Sequence, residues 1–286
     1  MLKDGRVLMT IGVLLLAVQD GFSRHLAAEY PTIVIVTIRY WFLFVVMLFY
    51  AFATGGFTAT FRSARPWLQA LRGLFLALEI CVLVTGFVLL GLSLAHAIFA
   101  MTPLIITAVA VPLLGERVVA AQWVLVAVGF GGVLLILRPG SEVFQVTALL
   151  PILAAVLFAA YSLTTRLVAG RDSPATSTAW TALVGVIVLT PVGLWMWEPL
   201  ARADWPEMAY LAASSAVAHW LLIRAYAVET ASKVQPFAYL QLVFASMIGV
   251  FWFGETLTTN LIIGAAIVVA AGLFSLRLGA EGAREV

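Results

Sequence analysis

Charge is what this sequence has least of. Only 10% of its 286 residues are Asp, Glu, Lys or Arg, against about a quarter in an ordinary soluble protein. Such a chain has too little polar surface to solvate a globule. Lysine occurs only as Lys3 and Lys233, both near the edges of apolar runs, which leaves no mid-helix lysine for a retinal Schiff base. Cys81 is the only cysteine, so disulfide frameworks and thiolate metal sites are excluded. The sequence has no HExxH, GxSxG or Asp-rich cluster for metal or hydrolytic chemistry. It also has no phosphate-binding loop, no potassium-filter sequence and no basic stretch interleaved with aromatics for nucleic acid. The expectation is a protein without catalysis, metal, cofactor or nucleic-acid partner.

What is present is apolar. The chain is 63% hydrophobic, with 18 Phe and 9 Trp, and its mean hydropathy is +1.08. Apolar segments recur at about 7–27, 32–53, 67–91, 95–114, 118–138, 146–168, 174–196, 206–227, 233–253 and 258–278. Each is close to the length of about 20 residues that crosses roughly 30 Å of hydrocarbon. The expected fold is therefore an all-α integral membrane protein of ten transmembrane helices joined by short connectors. The first run follows Lys3 and Arg6 but shows no convincing cleavage site, so it reads as a retained span.

Lys and Arg orient the spans, because positively charged loops stay cytoplasmic. With both termini inside, the inner segments hold Lys3, Arg6, Arg62, Arg65, Arg72, Arg117, Arg166, Arg171, Lys233, Arg277 and Arg284, and the outer loops hold Arg24, Arg138 and Arg202. Eleven against three favours cytoplasmic termini and a location in the cytoplasmic (inner) membrane.

Shifted against itself by 139 positions, the chain matches without a gap. Ser23 meets Ser162, Trp41 meets Trp180 and Ser93 meets Ser232; Gly115-Glu116 meets Gly254-Glu255. The chain thus divides into 1–140 and 141–286, with five spans each. An odd number of spans places the second half upside down relative to the first. Inverted repeats of this kind characterise secondary transporters, whose substrate sits near mid-membrane where the halves meet.

The motifs complete a resemblance. The first half carries Ser93-Leu94-Ala95-His96-Ala97, Thr102-Pro103-Leu104 and Leu113-Leu114-Gly115-Glu116-Arg117. The second carries Ala231-Ser232-Lys233-Val234-Gln235-Pro236-Phe237, Tyr239-Leu240-Gln241-Leu242 and Trp252-Phe253-Gly254-Glu255. With the Gly-Glu pair closing the fourth helix of each half, the chain resembles the EamA-type members of the drug/metabolite transporter superfamily. The resemblance implies a basket of helices around a central cavity, with helices 5 and 10 peripheral. It also implies that the 3–4 and 8–9 hairpins rock open on opposite faces, which makes His96, Pro103, Gln235 and Pro236 gating candidates. Pro103 and Pro112 bend helix 4 in a gate or are ordinary membrane-helix irregularities. Gly115, Glu116, Gly254 and Glu255 take structural roles. The small residues of helices 5 and 10, such as Gly129, Gly132, Gly264 and Ala271, pack helices within one protomer or at a weak dimer contact.

Ionisable groups inside the spans need a reason, because a lone charge in hydrocarbon costs several kcal/mol. Asp20 and Arg39 lie roughly 10–12 Å below the outer boundary on either side of the first turn, at about 1.5 Å per residue. They are placed either to pair between helices 1 and 2 or to bind a charged substrate group. Glu79 falls mid-helix in span 3 and His219 in span 8, one position from equivalence in the repeat; they bind a zwitterion, relay a proton, or lock helices together. Arg72 and Arg224 lie about one turn from the cytoplasmic ends and are expected to snorkel to the interface. The candidate substrate-binding residues are Gln19, Asp20, Ser23, Glu79, Phe99, Thr102, Tyr161, Ser162, His219, Trp220, Tyr239 and Gln241, with Phe22, Phe158, Thr165 and Tyr226 around them. That mixture suits a small polar metabolite with an apolar or aromatic part.

The reading that follows is a secondary transporter exporting small metabolites by alternating access, with amino acids as the first expected cargo. The resemblance leaves nucleosides, adenosylmethionine-like compounds, vitamins and drugs as alternatives, and a non-transporting scaffold or channel as the rival class. A proton gradient or downhill flux would drive it.

Overall fold

The computed structural model describes residues 4–54, 56–114, 120–138, 146–168, 171–228 and 237–282. They form α1 (Gly5–Glu29), α2 (Thr32–Thr54), α3 (Phe57–Phe61), α4 (Pro66–Leu90), α5 (Leu92–Phe99), α6 (Thr102–Leu114) and α7 (Ala120–Leu137). A 3-10 turn, Val146–Ala148, leads into α8 (Leu149–Val168), followed by α9 (Pro174–Trp195), α10 (Trp205–Val228), α11 (Leu240–Phe253) and α12 (Thr259–Gly282). No strand occurs among the described residues. Among the described residues, seven helical segments are long and apolar enough to cross a membrane: 5–29, 32–54, 66–90, 92–110, 120–137, 146–168 and 174–195. Large rings face outward from the helices, with Trp195 of α9 85% and Phe251 of α11 82% exposed, as lipid-facing side chains require.

Local chemistry sets the helix ends. The Asp4 side chain accepts from the Arg6 N–H to start α1, and Ser173 accepts from the Thr176 N–H to start α9, with Pro174 in its first turn. Gly91, at φ +91°, is the whole connection between α4 and α5, and a side chain would strain that backbone. Gly254, at φ +65°, closes α11.

The fourth apolar segment, expected over 95–114 and interrupted at its prolines, begins earlier than expected. It starts at Leu92 and breaks at Ala100–Met101. Pro103 has no N–H to return to the Phe99 carbonyl, and the Thr102 hydroxyl donates to that carbonyl instead, at 2.5 Å. The side chain of Pro112 lies outside the described residues.

α1 packs against α10, α11 and α4, while α4 packs against α8 and α9. α2 lies on α9, tied by the Trp41 indole N–H donating to Thr190 Oγ1 at 2.8 Å. α7 and α12 pack on one another at the periphery. There a Cβ on Gly132 would come 2.9 Å from the Gly264 carbonyl oxygen, so the small residues pack this pair within the protomer.

Candidate functional site

The bundle has a Gly91 end, where α1–α2, α4–α5 and α11–α12 turn, and an Asp172 end, where α3–α4 and α8–α9 turn. At the Gly91 end Glu255 joins three helices. Its carboxylate accepts from the N–H groups of Leu92 (2.6 Å) and Ser93 (2.9 Å) at the start of α5 and pairs with Arg24 of α1. The Arg24 guanidinium lies 4.0 Å over the Phe253 ring. Charged hydrogen bonds of this kind are about twice as strong as neutral ones. Gly249 and Gly91 leave room for the carboxylate: a Cβ on Gly249 would sit 2.8 Å, and one on Gly91 2.9 Å, from Glu255 Cδ. Arg24, counted from the sequence as a loop charge, is 18% exposed and is part of this junction. Nearby His25 Nδ1 lies 2.9 Å from Glu207, and Tyr30 donates to Asp204 at 2.6 Å.

One turn deeper, Asp20 corrects an expectation. It does not pair with Arg39: no ion pair to Arg39 within 4.0 Å exists among the described residues. Its carboxylate lies 3.1 Å from His96 Nε2 and accepts from Gln241 Nε2 at 3.2 Å. The reason is packing. His96 sits one turn into α5 and Gln241 begins α11, and both helices lie against α1 at this level. His96 is 4% exposed, its ring stacks on Phe87 at 4.9 Å, and its Nε2 meets Asp20 off the hydrogen-bond direction. Arg39 is half-buried on α2, within electrostatic reach of Asp20 and Glu79. Glu79 is buried on α4 and acted on by Asp20 and Arg39.

At the Asp172 end Arg72 overturns a second expectation. It does not snorkel; it is 5% exposed. Its Nε donates to Thr165 Oγ1 (2.8 Å), and its terminal nitrogens donate to Gln69 Oε1, the Ser177 carbonyl, Thr181 Oγ1 and Tyr161 OH. Its guanidinium lies 4.9 Å over the Tyr161 ring. Gln69 passes the contact on, donating to Asp172 Oδ2 at 2.9 Å. Snorkelling is unnecessary because α8 and α9 supply acceptors on the spot. Arg224 is exposed on α10.

Burial, which alone would raise the Asp172 carboxyl, is outweighed by hydrogen bonds from Gln69, Ser63 and the Ala64 N–H, which hold it below the ordinary carboxylate value. A depressed value means that this carboxylate contributes stability above its unfolded value of about 4 and loses it as pH falls through the folded value. Thermal unfolding in detergent is therefore expected to show an acid-side loss that Asp172→Asn reduces; an identical pH profile for the variant would refute this.

Between the ends runs an aromatic strip. Phe99, one turn beyond His96, meets Phe158 edge-on at 5.7 Å, and Phe158 meets Tyr161 at 5.6 Å, which leads to Arg72. Several buried polar atoms have no hydrogen-bond partner among the described residues: Gln19 Oε1, Ser23 Oγ, Ser93 Oγ, Tyr40 OH and Tyr239 OH. Thr102 is buried and spent on the Phe99 carbonyl, and Ser162 is half-buried. Two apolar grooves of 570 and 560 Å³ lie elsewhere, against α7–α12 and α11–α12. Gly115, Glu116, Gln235 and Pro236 lie outside the described residues, as do the side chains of His219, Trp220 and Tyr226.

The structure thus gathers Asp20, His96 and Gln241, and separately Phe99 with Tyr161. It adds Arg72, Gln69, Thr181, Ser177 and Arg24, which sequence reasoning missed. The available signal was a run of polar residues at the same depth in three spans.

Comparison with known proteins matches the model of the EamA-like transporter family to residues 4–138 and 145–277. A riboflavin transporter of Rhizobium johnstonii is 35% identical over 224 residues, covering 77% of this chain and 73% of its own. A riboflavin transporter of Vibrio cholerae is 30% identical over 95% of this chain and 92% of its own. An S-adenosylmethionine uptake transporter of Rickettsia felis is 26% identical over 89% and 86%. One solved crystal structure, at 17% identity, aligns over 97% of this chain and 98% of its own with a TM-score of 0.64, and so has the same fold.

Proposed function

This chain belongs to the EamA-like transporter family, and on that premise we propose that it takes up a neutral heteroaromatic metabolite of the riboflavin type by alternating access. It is a multi-pass membrane protein. The observation that carries the cargo is the combination of the Phe99–Phe158–Tyr161 strip with buried, unpartnered neutral groups such as Gln19 Oε1 and Ser23 Oγ. Buried polar groups normally find partners. Here they match a planar ring system carrying a polyol better than the ammonium and carboxylate of an amino acid. The relatives support the same shift, since their names concern riboflavin and S-adenosylmethionine. A cationic nucleoside of the latter type is the second reading, favoured by Asp20 and Glu79.

We place ten spans in two inverted repeats, 1–140 and 141–286, with both termini cytoplasmic in the inner membrane. The packing supports the repeat: under the 139-residue shift the pairing of α1 with α10 exchanges with that of α8 with α4. The repeat mates Trp41 and Trp180 both bond from their indoles between the α2–α3 region and α9. The two family matches fall on either side of residue 140. The distribution of Lys and Arg supports an outside location for the Gly91 end.

The test is uptake of labelled riboflavin by a riboflavin-auxotrophic bacterium expressing the protein. Saturable uptake, displaced by excess riboflavin and not by amino acids, is expected. Uptake of S-adenosylmethionine alone would transfer the assignment to the second reading, and uptake of neither would overturn both.

A further inference from the structure

We propose that the groove between α7 and α12 at the Asp172 end binds one anionic phospholipid, with its phosphate on Arg277 and an acyl chain along the apolar walls. Arg277 sets the level. It follows Thr259, which opens α12 at the Gly91 end, by 18 residues, or about 27 Å at roughly 1.5 Å per residue. The hydrocarbon core is about 30 Å thick, so Arg277 reaches the headgroup level of the opposite leaflet. It is exposed there and is the sole cation of the two helices. Among the described residues no carboxylate lies within 4.0 Å of it.

The groove has a volume of 570 Å³ and is lined by Ala121, Val124 and Leu125 of α7 and by Phe274, Arg277 and Leu278 of α12. It opens outward, with Val124 61% and Phe274 55% exposed. Apart from one another, α7 and α12 pack chiefly on α5 and α6, so this side of the pair faces lipid. At the same level the buried Gln122 amide donates to the Ser275 carbonyl at 3.3 Å, which joins the two helices and fixes the walls. The Arg277 guanidinium lies 5.8 Å over the Phe274 ring, a contact that keeps the charge over the groove. A guanidinium at headgroup level above an apolar slot fits a phosphate carrying an acyl chain, and basic pockets between helices are where anionic headgroups bind. A zwitterionic lipid brings a choline or ethanolamine cation beside Arg277 and loses part of that attraction. A second copy seated symmetrically would carry a second Arg277 into the contact. Glu116, Arg117 and Glu281 have their side chains outside the described residues and are kept unchanged in every variant below. The site requires the bilayer and is independent of which cargo is carried.

Native mass spectrometry of the purified full-length protein tests it. Delipidated protein in detergent is offered equal amounts of phosphatidylglycerol and phosphatidylcholine with the same acyl chains. The wild type is expected to retain one phosphatidylglycerol in preference to phosphatidylcholine. Arg277→Gln is expected to reduce that preference about fivefold, and Arg277→Lys to keep most of it. Ala121→Trp, which fills the groove and leaves Arg277 in place, is expected to retain one lipid fewer than the wild type. Both positions are exposed, so melting in lipid-free detergent should match the wild type; if Ala121→Trp fails to fold, Arg277→Gln against Arg277→Lys still decides. Inorganic phosphate in large excess is expected to displace nothing. A wild-type preference in Arg277→Gln overturns the proposal, as does a wild-type lipid count in folded Ala121→Trp. Release of phosphatidylglycerol by phosphate alone would leave an anion site without the groove and equally overturn it. A wild-type dimer that Ala121→Trp separates would give the groove to a second copy instead.

Discussion

Arg72→Met is expected to lower the stability of the folded protein by about 3–5 kcal/mol, the range for removing one partner from a buried charged network. The substitution keeps much of the side chain's apolar volume and deletes all five donors. Gln69 Oε1, Thr165 Oγ1, Thr181 Oγ1 and the Ser177 carbonyl then lose the guanidinium that holds α4, α8 and α9 together. A charge-assisted hydrogen bond contributes about 1.5–3 kcal/mol, and a buried acceptor left alone costs more than the bond was worth. Arg72→Lys is expected to recover little. An ammonium has three donors around one atom and cannot reach Thr165 on one side and Thr181 and Tyr161 on the other. Thr181→Val, which removes one acceptor and leaves the rest, should cost only about 1 kcal/mol. Melting of the purified protein in detergent, followed by size-exclusion chromatography after heating, orders the three. A snorkelling arginine would make Arg72→Met nearly neutral, so a melting curve unchanged from wild type would return Arg72 to the interface.

The contrast between Arg72 and the helix boundaries shows what a sequence discloses here. Span length and hydropathy are local properties, so the segments 32–53 and 146–168 agree with α2 and with the turn and helix over 146–168 to within one residue. The break before Pro103 was legible for the same reason, since a missing N–H acts within one turn. Partner choice is not local. Asp20 and Arg39 are close along the chain, yet the helices that reach Asp20 are α5 and α11, which bring His96 and Gln241 from 76 and 221 residues away. Snorkelling was a fair expectation for a lone arginine near a span end. It failed because Thr165, Ser177 and Thr181 converge on Arg72 from two other helices. Glu255 was recognisable as half of a Gly-Glu pair, but its partners Leu92 and Ser93 lie more than 160 residues earlier. The aromatic strip was legible residue by residue and invisible as a strip, because its order depends on how α5 crosses α8.

Removing the Glu255 carboxylate is expected to have the largest effect on conformation. Its two oxygens accept from two successive backbone N–H groups at the start of α5 while also holding Arg24 of α1. Glu255→Ala strands those donors and leaves Arg24 without its counter-charge, a loss on the order of several kcal/mol. That exceeds the few kcal/mol that usually separate transporter-like conformations. The Gly91 end should therefore open, and transport should fall by more than about tenfold, because an end that cannot close cannot alternate. Glu255→Gln keeps the shape but presents an amide NH2 to one of the two N–H donors, so it should open the end less completely. Arg24→Gln, which leaves both backbone bonds in place, should open it least. Gly249→Ala should mimic the loss with the carboxylate intact, since its Cβ would lie 2.6 Å from Ser93 Oγ and 2.8 Å from Glu255 Cδ. Opening can be read by placing a single cysteine at Ser93, with Cys81 replaced by serine, and labelling it with a membrane-impermeant maleimide. Ser93 is 2% exposed, so the protein with Glu255 should label slowly and the Glu255→Ala protein fast. Equal labelling of the two would mean that the carboxylate braces α5 without closing the end, and the transport defect would then have to arise elsewhere.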